Sequence, residues 1–156
     1  MEKVRKYFAG FGLEDRIKTF DQSSATVDLA AQALGVQPCR IAKTLSFILG
    51  DQAILVVTAG DGKIDNQKFK TQFGRRAKMI KADQVEDLVG FKVGGVCPFG
   101  VKEGVKVYLD QSLKRFDTVF PAAGSSSSAI ELSLEELEKY SNYEDWVDVC
   151  KAWQES

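Results

Sequence analysis

Apolar and polar residues along the chain follow two alternating periods, and the switches between them predict its elements. Val4, Tyr7 and Phe8 share one side of a helix over Glu2 to Ala9, which Gly10 and Gly12 end. Ile17 to Phe20 reads as a short strand. Thr26 then caps a helix over Val27 to Leu34, with Asp28 in its first turn and Gly35 at its end. Ile41 to Leu49 and Ala53 to Thr58 are apolar runs joined by Gly50-Asp51, which predicts a hairpin. Gly60-Asp61-Gly62-Lys63 is a loop, and Asp65 caps a helix that runs to Phe73 and stops at Gly74. Lys78 to Ile80 reads as a strand, and Asp83-Gln84-Val85-Glu86 has capping-box spacing for a short helix ending at Gly90. After a glycine-rich loop, strands are expected at Lys106 to Leu109, Thr118 to Phe120 and Ala129 to Leu132. Ser133-Leu134-Glu135-Glu136 opens the last long helix, and Trp146 to Val149 reads as a closing strand.

Strands and helices intersperse without strict βα alternation. The pattern therefore predicts an α/β chain with a mixed sheet or barrel and helices around it, not a doubly wound parallel sheet. At 156 residues, with no internal repeat and no linker, one domain over residues 1–156 is expected. Composition agrees with a soluble globular protein, at 44% apolar and 28% charged residues. The longest apolar runs, such as Ala53 to Val57, are far too short for a bilayer span. The charged start at Glu2, Lys3, Arg5 and Lys6 lacks a signal-peptide core, so a cytoplasmic location is the expectation.

Charge changes the picture only locally. The net charge is −1, which excludes a general coat for DNA or other nucleic acid. Residues 63–81, however, carry seven basic residues against Asp65 alone, a net +6. Residues 131–156 carry eight acids against Lys139 and Lys151, a net −6. Two solvated faces would account for this, as would a phosphate-contacting patch that includes Lys63, Lys68, Arg75 and Arg76.

The chemistry is bounded by what the chain lacks. There is no histidine, so every Ser-His or Cys-His pair is excluded. Cys39, Cys97 and Cys150 are widely spaced and form no CxxC pair, which disfavours a disulfide framework and a thiolate metal site. Strand periodicity puts Lys43 on one face with Ile41, Leu45 and Phe47. A lysine there either reaches water past its neighbours or meets an anionic group in a pocket. The loop Val93-Gly94-Gly95-Val96-Cys97-Pro98-Phe99-Gly100 could bring free amides close to an ester oxygen, or could be an ordinary hairpin loop. Asp110 ends a strand and reads either as a cap for Gln111-Ser112-Leu113 or as a catalytic base. Gly124 with Ser125 to Ser128 forms a polar loop.

Lys43 within Ile-Ala-Lys-Thr-Leu, the run from Val93 to Gly100, the strand ending in Asp110, and Ala123-Gly124 followed by Ala129-Ile130-Glu131-Leu132 occur in one order. In that order and spacing the chain resembles the YbaK/ProX family from about Phe20 to Tyr140. The family includes the editing domain of bacterial prolyl-tRNA synthetases and its free-standing relatives. The resemblance implies a mixed α/β fold and hydrolysis of mischarged aminoacyl-tRNA, with alanine, cysteine or serine as the misplaced residue and tRNA(Pro) as a carrier. It implies no cofactor and no metal. Its partners would be the tRNA acceptor end and a synthetase such as prolyl-tRNA synthetase. Lys43 would bind the 3′-terminal backbone or ribose, and Gly94, Gly95 and Pro98 would position the ester. Phe20, Thr44, Val96, Cys97, Asp110, Gly124 and Ser125 would surround the substrate. Attack would come from water or a substrate group, not from a protein nucleophile. Compared with cysteinyl-tRNA-clearing members, Phe20 replaces a tyrosine, Ala129 an aspartate, and Ser125 to Ser128 a basic loop. A catalytically silent module that docks on tRNA or a synthetase, and a thiol hydrolase using Cys97, are the rival readings.

Overall fold

The computed structural model describes residues 2–20, 26–92 and 95–153. Helix α1 spans Glu2–Ala9 and buries Val4 and Phe8. A short strand β1, Ile17–Thr19, leads towards helix α2, Val27–Leu34. Thr26 caps α2 by accepting from the Leu29 amide, and Gly35 ends it in the left-handed conformation. Strands β2, Ile41–Leu49, and β3, Gln52–Ala59, form the expected hairpin, with Leu49 opposite Gln52 across the turn. Two-residue strand β4, Lys63–Ile64, precedes helix α3, Asn66–Phe73, which Asp65 caps. Helix α4 is Ala82–Val89, and β5 is Lys106–Asp110. Strands β6, Thr118–Pro121, β7, Ser128–Ile130, and β8, Leu132–Ser133, precede helix α5, Leu134–Ser141. Ser133 and Glu136 close a full capping box at the start of α5. Strands β9, Asp145–Val147, and β10, Cys150–Lys151, complete the chain.

A six-stranded mixed sheet runs β8-β6-β2-β3-β5-β9. β2 lies antiparallel to β3 and parallel to β6, and β5 lies parallel to both β3 and β9. Period-two alternation sends successive residues to opposite faces. Ala42, Leu55, Val57, Val107 and Leu109 face the larger core, which α1, α4 and α5 cover with Phe8, Val89 and Leu137. Phe47, Ile54 and Val56 face the other side and meet Phe69 of α3 together with Val149 and Cys150. Helix α2 packs Ala31 on Ile41 and Phe120 at the sheet's β2–β6 end. Gly60 permits this packing, because a Cβ there would lie 2.0 Å from the Pro38 carbonyl oxygen and 2.7 Å from Val27 Cγ1.

Four local expectations are corrected. The helix near Asp83 begins two residues earlier than a capping box at Asp83 requires, with Lys81 at the cap and no side-chain cap bond. Asp83 instead places its charge in the first turn, where the helix dipole favours it. Lys78 to Ile80 forms a single bridge, Met79 to Phe47, and not a full strand. The run from Ala129 to Leu132 divides, because Ser128–Ile130 pairs with β1 whereas Leu132–Ser133 pairs with β6. Glu131 sits at the division and accepts from Thr118 Oγ1 at 2.8 Å and Arg40 Nη2 at 3.4 Å. The closing strand is shorter than Trp146 to Val149, and the chain end instead pairs Cys150 with Ile64.

Candidate functional site

A cavity of about 430 Å³ opens beside β2, where the sheet is incomplete. β6 pairs with β2 only at Ile41 and Ala42. Further along, Ile48 donates to the Lys78 carbonyl at 2.9 Å and Ile80 donates to the Ser46 carbonyl at 3.1 Å. Between these two attachments the edge of β2 is open, and Lys43, Thr44 and Leu45 line the cavity there.

The open edge gives the cavity two unlike sides. On the Thr44 face, Ser46, Ile80, Val85, Val96 and Ala129 form the walls. These side chains are small or aliphatic, and Thr44 Oγ1 is buried with no hydrogen-bond partner among the described residues. Ser125 and Ser128 line the opposite wall, with their hydroxyls 2.7 Å apart. On the Lys43 face, Thr26, Val27 and Ala30 of α2 form the wall. Burial holds the Lys43 ammonium below the ordinary lysine pKa, and Lys63 pushes the same way. Asp61 and Cys150 pull back more weakly than burial pushes. A desolvated cation that is only half-covered is well suited to an anionic or hydroxyl-rich ligand.

Two loops meet at this wall. Gly95 abuts the serine loop so closely that a Cβ would lie 2.8 Å from both the Gly124 carbonyl oxygen and Ser125 Cα. Gly124 itself has φ +91°, which aims Ser125 into the cavity wall. Val96 follows Gly95 into the lining. Gly94 lies outside the described residues. Pro98 is buried behind the loop, away from the cavity lining. Phe20 is half-buried and donates its amide to the Ser127 carbonyl at 2.9 Å, so it braces the serine loop from outside the lining.

Cys97 and Asp110 have other surroundings. Cys97 is fully buried, its thiol is pushed up to about 12 by desolvation, and it lies outside the lining. Such a thiol is not a nucleophile at neutral pH, so the geometry opposes the thiol-hydrolase rival. Asp110 is fully buried and accepts from the Ser112 amide and the Val149 amide, each at 2.9 Å. Oδ2 caps the helical turn Gln111–Arg115, as the cap reading expects, Oδ1 holds Val149 to the end of β5, and the residue does not line the cavity.

The basic segment divides likewise. Lys68 is tied to Asp148 Oδ1 and the Cys150 carbonyl, each at 3.1 Å. Lys63, Arg75 and Arg76 are exposed, and the Arg75 guanidinium lies beside Gly50 at the hairpin tip. Sequence reasoning missed Ser46, Met79, Ala122 and the α2 wall, all of which line the cavity. Ser46 was available from periodicity, being two residues from Thr44 on a strand. The α2 wall and Met79 arrive by tertiary packing and leave no local signal. Among the described residues, no group of three or more ligating side chains could hold a metal ion. No helix among them is long and apolar enough to cross a membrane.

Comparison with known proteins places this geometry. The chain is 50% identical to YwhH of Bacillus subtilis (strain 168), a protein described as uncharacterized, over 99% of both chains. It is 25% identical to EbsC of Enterococcus faecalis, described as a candidate Cys-tRNA(Pro)/Cys-tRNA(Cys) deacylase, over 79% of this chain and 76% of that one. A match to the proline–tRNA ligase of Lactiplantibacillus plantarum, at 26% identity, spans 88% of this chain but 24% of the ligase. A crystal structure described as a candidate trans-editing enzyme for prolyl tRNA synthetase superposes with a TM-score of 0.86 at 25% identity, over 96% of each chain. The hypothetical protein APE2540 superposes with a TM-score of 0.84 at 27% identity, over 96% of this chain and 99% of that one. The aminoacyl-tRNA editing domain model matches residues 21–140, which contain the whole cavity lining. On the strength of that match, the chain belongs to the aminoacyl-tRNA editing domain family.

Proposed function

We propose that this chain hydrolyses the ester of mischarged aminoacyl-tRNA, acting in trans on small residues such as alanine, cysteine or serine, with tRNA(Pro) the favoured carrier. The observation that carries the reading is the two-sided cavity at the open edge of β2. A desolvated lysine stands on one side and a small hydroxyl-bearing pocket on the other. The terminal ribose and its phosphate would lie towards Lys43, and the aminoacyl group would cross the strand edge into the pocket. Among the described lining residues there is no carboxylate and no thiol. In this reading attack on the ester comes from water or from a hydroxyl or thiol of the substrate, and the protein contributes position and polarisation. Editing of this kind answers a physical limit, since a synthetase pocket rejects a smaller or isosteric amino acid by only about 10–200-fold.

The test is a deacylation screen with Ala-, Cys-, Ser- and Pro-charged tRNA. Accelerated loss of one or more of the three small residues, with Pro-tRNA spared, is the expected result. Failure to accelerate any of them removes the hydrolase reading. Tight acceptor-end binding without turnover would then identify a silent binding module. A prolyl-tRNA synthetase is the partner to examine, by adding it to the same assay.

A further inference from the structure

Thr44 has more unmatched hydrogen-bonding capacity than its place in a sheet explains. Ile48 donates to, and Ser46 accepts from, the 78–80 segment, so even-numbered residues of β2 turn their backbone groups to this edge. By the two-residue period, Thr44 does the same. Its N–H and C=O have no backbone partner there among the described residues, since β6 pairs no further than Ala42. The Thr44 hydroxyl oxygen is also buried and unpartnered. Groups left this way in a folded protein call for an explanation, and a ligand that completes them is the direct one.

The gap is short. Ala42 is bridged to β6 on one side, and on the other the Ser46 carbonyl accepts from Ile80, while the Ser46 N–H, like the Thr44 groups, has no backbone partner there among the described residues. In an antiparallel hydrogen-bonded pair, two residues exchange N–H and C=O with one another. An aminoacyl group carries the same pair on one α-carbon, an ammonium donor and a carbonyl acceptor. The walls around it, Ala42, Ala122, Ser128 and Ala129, leave room for it.

We infer that Thr44 captures the aminoacyl group as a one-residue β-bridge, its C=O accepting from the free α-ammonium and its N–H donating to the ester carbonyl. The inference rests on the deacylase reading and deepens it. It makes a free α-amine a requirement of the site, whatever the side chain. An N-acylated or α-hydroxyacyl ester loses the charged hydrogen bond to the Thr44 carbonyl.

The experiment uses ¹⁵N-labelled protein and three non-hydrolysable adenosine 3′-amides carrying L-alanyl, N-acetyl-L-alanyl or L-lactyl groups. With the alanyl compound, the Thr44 amide resonance is expected to shift and its hydrogen exchange to slow. The other two compounds are expected to bind at least roughly tenfold more weakly, the scale of one lost charged hydrogen bond. Thr44→Val, which replaces the hydroxyl with a methyl group and leaves the backbone groups in place, should keep the alanyl-over-lactyl preference. Equal affinity for all three compounds overturns the inference. So does a shift of Val96 and Ser125 resonances without one at Thr44, and so does the absence of binding. Charged-tRNA hydrolysis measured in parallel keeps the two claims separate. Turnover with an unmoved Thr44 amide removes the bridge and leaves the deacylase standing, whereas a Thr44 shift without turnover on any charged tRNA does the reverse.

Discussion

At the scale of single residues, Lys43 shows a conflict between stability and function. Its ammonium is desolvated, and its folded pKa lies below that of the unfolded chain. The unfolded state therefore holds the proton more tightly, and stability contributed at this position rises with pH as the lysine loses its charge. Lys43→Met should lower deacylation at least roughly tenfold, because a hydrogen bond to a charged group is worth about 1.5–3 kcal/mol. The same variant should melt at a higher temperature than the parent at neutral pH. That advantage should fade as the pH approaches the unfolded lysine value of about 10.4. Parallel melting curves across pH, with turnover at one pH, check both signs; a destabilised variant would mean that Lys43 serves the fold. Cys97 gives a simpler expectation. With its thiol pushed up to about 12 and fully buried, it should resist alkylation in the native protein, while half-exposed Cys39 reacts first. Mass mapping after a short iodoacetamide pulse would expose an error if Cys97 carried the label. Cys97→Ser should then retain deacylation.

At the scale of elements, the position of α2 depends on a missing side chain. Gly60→Ala would drive a methyl group into the Pro38 carbonyl and the Val27 side chain. Overpacking of this kind costs about 1–3 kcal/mol, and relief by movement of α2 would displace Thr26, Val27 and Ala30 from the cavity. The variant should therefore lose thermal stability and raise KM more than it lowers kcat. Unchanged KM in a folded Gly60→Ala protein would show that the α2 wall does not touch substrate. Local signals made most elements legible: Thr26, Asp65 and Ser133 all cap where their spacing places them, and β2 has the bounds its apolar run predicts. Illegible features were those decided by partners distant in sequence. Ser128–Ile130 and Leu132–Ser133 read as one strand because only the differing allegiance to β1 and β6 divides them. A strand period and the family resemblance both mark Lys43, whereas Thr44, Val96 and Ser125 are marked by the resemblance alone; all four line the cavity. Asp110 and Cys97 carry the same pattern, yet packing turns them into the core.

At the scale of the whole molecule, the opposite charges of the two segments are partly spent on each other. Lys68 is paired with Asp148, which leaves Lys63, Arg75 and Arg76 exposed. Arg75 lies beside Gly50, seven positions along β2 from Lys43, roughly 23 Å at about 3.3 Å per residue. An acceptor stem whose end reaches Lys43 could thus run along the hairpin to its tip. Reversing both arginines, Arg75→Glu with Arg76→Glu, should raise KM several-fold and spare kcat. It should also flatten the slope of log affinity against log salt by about one to two. Equal slopes for parent and variant would show that this patch is merely solvated. The break in the sheet has a further consequence, for solubility. A strand edge with several free positions in a row is a template for other chains and invites self-association. Here the stretch of β2 without backbone partners runs only from Thr44 to the Ser46 N–H, closed by β6 on one side and by the 78–80 segment on the other. A second polypeptide cannot gain a ladder from so short an opening, so this break in the sheet is a poor template for self-association.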